Sequence, residues 1–259
     1  MRIRIKYRNN NETYIPDFNS FKDTNDYNKV ISIVLHEYEF TEFPKLPDSL
    51  IYFMCYYNKL TSLPELPNSL IYLDCSINQL RCLPKLSTSL QSLYCSGNKL
   101  TSLPKFPDSL QNLLCNDNKL IELPKFPNSL QSLYCSNNQL RLLPELPNSL
   151  QQLNCDDNQL TSLPKLPNLI ERLYCCNNQI MELPKLPNSI GYFYCYNNQL
   201  IELPELPNSL KRFRCYNNRL TLLPELPNSL QELSCHSNKF ISRKDYQYNY
   251  LKNTFEKKV

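Results

Sequence analysis

The sequence predicts a β-rich solenoid, with a parallel β-sheet on the concave face and extended, polyproline-like or 3₁₀ segments on the convex side. Three observations carry that expectation. A unit of twenty residues, typified by Leu50 to Pro67, returns until the chain is nearly finished. A fixed period of that length marks a fold in which each unit buries its apolar side against its neighbours. Each unit also alternates, as Phe53 and Cys55 do with Tyr52, Met54 and Tyr56, which is the two-residue period of a strand. Nearly every unit then carries two prolines three apart, as in Leu63-Pro64-Glu65-Leu66-Pro67. Proline removes an amide donor and fixes φ at about −65°, and the residue before it is driven to extended geometry, so this half of the unit cannot be α-helical.

Residues 1–29 stand outside the repeat. Ile3, Ile5 and Tyr7 alternate with charged residues and predict a short strand, Asn9, Asn10 and Asn11 predict a turn, and Tyr14, Ile15, Phe18 and Phe21 supply apolar cover. An end repeat exposes one side of its core, so this segment is expected to be an N-terminal cap. Residues 30–47 form a degenerate first unit, with Val30, Ile33, Leu35 and Phe40 at the apolar positions, Leu35 in place of the Cys and Tyr38 in place of an Asn. The solenoid is assigned to residues 30–241, about eleven repeats, each with a five-residue strand such as Tyr52 to Tyr56 and with residues such as Leu63 and Leu66 turned inward.

Two units are irregular: Ser87 stands where the second proline is expected, and Leu169 replaces the usual Ser. Small local adjustments are expected at both. Residues 242–259 abandon the pattern and are assigned to a C-terminal cap or tail, with Asp245 capping a helix that bears Tyr250, Leu251 and Phe255.

An Asn follows the Cys of each regular unit by three positions, giving Asn58, Asn78, Asn98, Asn118, Asn138, Asn158, Asn178, Asn198, Asn218 and Asn238. An amide side chain both donates and accepts. This row is therefore expected to be a structural ladder that satisfies backbone groups where the chain leaves the strand.

The spacing of Leu, Cys and Asn resembles the leucine-rich repeat, L-x-x-L-x-L-x-x-N-x-L, with Cys in place of the third Leu. The Leu-Pro-x-Leu-Pro half resembles the twenty-residue repeats of secreted bacterial effectors of the YopM and IpaH type. The Cys- and Asn-rich version resembles the leucine-rich repeat proteins of giant amoeba-infecting viruses. The resemblance covers about four fifths of the chain. It implies a binding scaffold directed at host proteins. IpaH-type ligases carry a catalytic Cys-x-Asp in a large separate domain. Here Cys155-Asp156-Asp157 matches that tripeptide at a core repeat position, and only a short tail follows the last unit. The ligase activity is therefore not carried over.

Composition points the same way. The net charge of +4 over 259 residues is too small to suggest nucleic acid or an anionic membrane. No apolar run is long enough to span a bilayer, and the N-terminal residues lack the continuous apolar core of a secretory signal. Ten of the twelve Cys share one repeat position, so they are expected to be reduced, buried packing residues in a reducing compartment. A line of thiols does not converge on a metal. With two Gly in the chain, a backbone phosphate cradle is not expected, and His36 and His236 are read as separate surface residues.

Variation is concentrated on the outward strand positions, the surface repeat scaffolds use for binding. Near the N-terminus these are Tyr52, Met54, Tyr56, Tyr72 and Asp74, and the middle is polar. Towards the C-terminus they include Arg172, Tyr174, Cys176, Tyr192, Tyr194, Tyr196, Arg212, Arg214 and Tyr216. Tyr and Arg are enriched in interface hot spots, so these residues, apart from Cys176, are the expected partner-binding site. Cys176, at an outward position, is expected to be accessible and reactive. The arginines repel one another without a counter-charge, which suggests an acidic or phosphorylated ligand segment. The expected function is a non-enzymatic, cytoplasmic protein-interaction scaffold with a protein partner, no cofactor and no metal. The alternatives are a structural or particle component, and a substrate receptor for a ubiquitin ligase acting in trans.

Overall fold

The computed structural model describes residues 3–15, 26–35, 41, 43–240, 246–249 and 254–257, the last two stretches by their backbone. Phe18, Phe21, His36, Tyr38, Phe40, Asp245, Tyr250 and Leu251 lie outside the described residues. The chain divides into two compact units, Met1–Leu130 and Gln131–Val259.

In the first unit, β1 (Ile3–Tyr7) pairs antiparallel with both β2 (Glu12–Ile15) and β3 (Val30–Val34). The Asn9–Asn11 turn joins β1 to β2, with Asn10 at φ 67° and the Asn11 N–H donating to Asn9 Oδ1 at 3.1 Å. From β3 the sheet turns parallel and runs through β4 (Tyr52–Met54), β5 (Tyr72–Asp74), β6 (Ser92–Tyr94) and β7 (Asn112–Leu114). The second unit continues the same pattern with β8 (Ser132–Tyr134), β9 (Gln152–Asn154), β10 (Arg172–Tyr174), β11 (Tyr192–Tyr194), β12 (Arg212–Arg214) and β13 (Glu232–Ser234), all parallel. Each residue pairs with its counterpart one repeat on, as Leu173 does with Phe193, because the strands are successive copies of one unit. The result is a parallel-sheet β-solenoid. Among the described residues the only helical turn is the short 3₁₀ segment Tyr27–Lys29.

Two expectations are corrected. The strands have three residues rather than five, because the chain enters the left-handed region soon after the core Cys: Tyr57, Ile77 and Asp117 sit at φ 53–58° in the first unit, and Asn137 through Ser237 at 52–55° in the second. The residue that turns the chain is thus the one before the ladder Asn. Backbone bonds between repeats nevertheless continue past the strand, as in Cys55 N–H to Asp74 O at 2.7 Å. The tail does not form the expected helix where it is described. β14 (Tyr246–Asn249) and β15 (Thr254–Lys257) pair antiparallel; Tyr, Thr and Phe favour strand geometry, and here that preference prevails over the helical spacing.

The core repeats with the sequence. Phe53, Cys55, Leu60 and Leu70 are fully buried, and so are their counterparts Phe193, Cys195, Leu200 and Leu210. Each fully buried Leu contributes about 2 kcal/mol. In the proline half the chain is extended, and Leu or Phe of the Leu-Pro pairs is buried or half-buried, with Phe106 and Phe126 stacked at 6.2 Å. A tight turn follows, with the Leu70 N–H on Pro67 O at 3.1 Å.

The Ser within that turn has a role the sequence reading did not assign. Its hydroxyl donates to the preceding repeat, as Ser189 Oγ does to Ile170 O at 2.6 Å and Ser209 Oγ to Ile190 O at 2.7 Å. At the irregular unit, buried Ser87 donates to Asn68 O at 3.0 Å and accepts from the Ser89 N–H at 3.2 Å, so the missing proline is replaced by a hydrogen-bonded hydroxyl.

Candidate functional site

Two columns of side chains stand outward on the second unit's sheet, because alternate strand residues face away from the core. The first runs Gln152, Arg172, Tyr192, Arg212, Glu232. The second runs Asn154, Tyr174, Tyr194, Arg214, Ser234. A third row follows just past the strands: Asp156, Cys176, Tyr196, Tyr216, His236.

The expected binding residues are brought together. Tyr192 lies between two guanidinium groups, Arg172 Cζ at 5.5 Å and Arg212 Cζ at 5.9 Å from its ring centroid. Arg214 Cζ sits 4.8 Å over Tyr194, whose ring is 4.9 Å from Tyr174. In the third row Tyr196 stacks on Tyr216 at 4.4 Å, and Tyr216 stacks on His236 at 4.6 Å. Arg172 and Arg212 are exposed, while the tyrosines and Arg214 are half-buried. Burial, then Tyr194, pushes the Tyr174 hydroxyl up, and burial, then the Cys176 thiol, pushes the Tyr196 hydroxyl up.

The sequence reading missed the counter-charge. Glu232 Oε1 accepts from Arg214 Nε at 2.8 Å and Nη2 at 2.6 Å, and Oε2 lies 3.5 Å from Arg212 Nε. The Glu232 hydrogen bond is the main cause that raises the Arg214 pKa. Glu232 was legible, since it occupies the position of Arg212 one repeat on. Among the described residues Arg172 has no ion pair, unlike Arg212 and Arg214.

Cys176 is also corrected. It is fully buried, not accessible. Its larger neighbours in the row cover it, and the thiol is pushed up by burial and then by Asp156. Its N–H donates to Asp156 Oδ1 at 2.5 Å. Burial pushes the Asp156 carboxyl up to about 6, with Asp157 adding to the rise and the Cys176 hydrogen bonds opposing it. The exposed cysteine is Cys82. It lies outside the Cys column, where other units carry Ser62 or Ser102.

Two amide ladders hold this face in place. Asn178 Nδ2 donates to Cys155 O at 3.0 Å and Cys176 O at 2.9 Å, and its Oδ1 accepts from the Leu160 N–H at 2.9 Å. The pattern recurs at Asn158 and Asn218. The second ladder was not anticipated: Asn217 Nδ2 donates to Asn197 Oδ1 at 2.7 Å, Asn197 to Asn177 at 2.5 Å, and Asn177 to Asp157 Oδ1 at 2.8 Å. Asn tolerates the left-handed backbone these positions require.

The core cysteines are fully buried and unbridged. Burial, then the neighbouring Cys175 thiol, pushes Cys155 well up, the opposite of what an activated nucleophile needs. Among the described residues no group of three or more His, Cys, Asp or Glu could hold a metal, and no helix is long and apolar enough to cross a membrane.

No family model matches the chain, and no curated protein matches it. Solved structures do. It is similar to YopM from Yersinia enterocolitica, 40% identical with a TM-score of 0.77 over 77% of this chain and 45% of that one. It is similar to YopM, a leucine-rich effector protein from Yersinia pestis, 39% identical with a TM-score of 0.77 over 81% of this chain and 61% of that one. The chain thus spans less than two thirds of either YopM chain. The leucine-rich repeat domain of APL1B shares the fold, at 19% identity and a TM-score of 0.63 over 79% of this chain and 68% of that one.

Proposed function

The chain is a leucine-rich repeat protein resembling YopM-type effectors, and from that premise we propose that it is a non-enzymatic scaffold that binds a protein partner on the concave face of its sheet, in an intracellular, reducing compartment. The observation that carries this reading is the aromatic and guanidinium lattice on β10–β12. Tyr192 and Tyr194 are flanked by neighbours on both sides, so little of their side-chain entropy is left to lose on binding. Arg172 offers a planar donor set suited to a carboxylate or phosphate. Arg172, Tyr174, Tyr192, Tyr194, Tyr196, Arg212, Arg214 and Tyr216 are the proposed contact residues, and a host-cell protein is the proposed class of partner.

One observation favours a second reading, in which the lattice only packs the sheet: Glu232 already satisfies Arg214 and approaches Arg212. Photo-crosslinking separates the two. A benzophenone side chain at position 192 is expected to capture a discrete protein adduct in cells, and one at position 165 is not. Absence of an adduct at 192 would leave packing as the role.

A further inference from the structure

We propose that the outward face of β4–β6, in the first unit, is a recognition site for a cationic side chain, lysine or arginine, presented by a partner protein. Asp74 supplies the counter-charge, and Tyr52, Tyr72 and Tyr94 supply the aromatic walls. The register brings these groups together: Tyr52 pairs with Tyr72, and Asp74 pairs with Tyr94. The rings do not lie flat on one another. Tyr52 and Tyr72 are 6.4 Å apart at 43°, and Tyr72 and Tyr94 are 5.2 Å apart at 72°. Rings set at such angles leave π-faces available, and a cation over a Tyr face is attracted by the ring quadrupole. Burial, and next the Asp74 carboxylate, push the Tyr72 hydroxyl up to about 12, which fits a phenol set close to the acid.

Asp74 is the anomaly that points to a ligand. It is half-buried, and its Oδ1 is fixed by the Ser76 N–H at 3.0 Å. Among the described residues Oδ2 has no hydrogen bond and the carboxylate no ion pair. β4–β6 place no Lys or Arg on this face. The nearest cation in register is Arg4, three strands away through Val34 and Met54, roughly 14 Å at roughly 4.8 Å per strand. A partially desolvated carboxylate without a cation is unfavourable, and a basic side chain from outside would satisfy it.

The test titrates the full chain with tetra-arginine and tetraserine peptides at low salt, followed by calorimetry. Tetra-arginine is expected to bind saturably and tetraserine not. Asp74→Asn, which keeps the acceptor for the Ser76 N–H, and Tyr72→Leu are each expected to weaken binding about fivefold or more. Asp108→Asn, at an exposed acid of the same unit, is expected to leave it unchanged. Thermal melts confirm that each variant is folded. Absence of saturable tetra-arginine binding, an unchanged affinity in Asp74→Asn or Tyr72→Leu, or an equal loss in Asp108→Asn would overturn the proposal.

Discussion

Glu232 closes on Arg214 with two hydrogen bonds to a single oxygen, Oε1, at 2.8 and 2.6 Å from Nε and Nη2. The carboxylate stands one strand beyond the guanidinium, so the positive edge of the lattice is partly neutralised from within. Both side chains remain partly exposed, and an ion pair of this kind contributes about 0.5–1 kcal/mol. Glu232→Gln is expected to lower stability by about that amount in a denaturant titration, with the difference shrinking at high salt. If the partner is acidic, the same variant binds it more tightly, because a competing carboxylate is gone.

Asp156 gives a pH dependence with a defined sign. Its carboxyl rises from 3.8 to about 6 on folding, mainly through burial. Between those values the native state holds a proton the unfolded chain has lost, so the group's contribution to stability falls as pH rises through that window. Allowing for its partial exposure, the loss is about 2 kcal/mol. Asp156→Asn keeps an acceptor for the Cys176 N–H. It is expected to match wild type in stability near pH 4 and exceed it above pH about 6, read from melting curves across that range.

Thiol accessibility tests the packing directly. Cys82 is exposed, and the other eleven of the twelve cysteines are buried. Native labelling with a maleimide is expected to add one label, abolished by Cys82→Ser, and labelling in denaturant to add twelve. Rapid native labelling of Cys176 would contradict the row that covers it.

Two positions depart from what their repeat column requires, and repairing them is expected to stabilise the fold. Ile77 adopts φ 53° with a β-branched side chain that is exposed; Ile77→Asn is expected to gain about 1 kcal/mol. Leu169 is exposed where other units place the Ser hydroxyl; Leu169→Ser is expected to gain about 0.5–1 kcal/mol. Both are read as shifts in thermal midpoint.

The period, the parallel register and the core columns were legible because one sequence rule repeats in each unit. Stacking such units leaves few other arrangements. What escaped depends on neighbours one repeat away. Cys176 occupies an outward position, yet Asp156 and Tyr196 bury it. Arg212 and Arg214 are not uncompensated as expected, because Glu232 lies in the Arg212 column one repeat on. Strand length was overread because the alternation of Tyr52 to Tyr56 continues past the point where Tyr57 turns left-handed. The tail has no repeat to constrain it, and local propensity alone separated helix from strand there.

The most direct test of the central claim compares partner capture by two variants. Arg172→Ala with Tyr192→Ala and Tyr194→Ala removes the centre of the lattice, and Lys165→Ala with Lys185→Ala changes charges on the proline half of the same unit. Both are first matched to wild type in thermal midpoint to within a few degrees. A protein captured by wild type and by the lysine variant, and lost from the lattice variant, is the predicted result. Capture retained by the lattice variant, or lost equally from both, would contradict it.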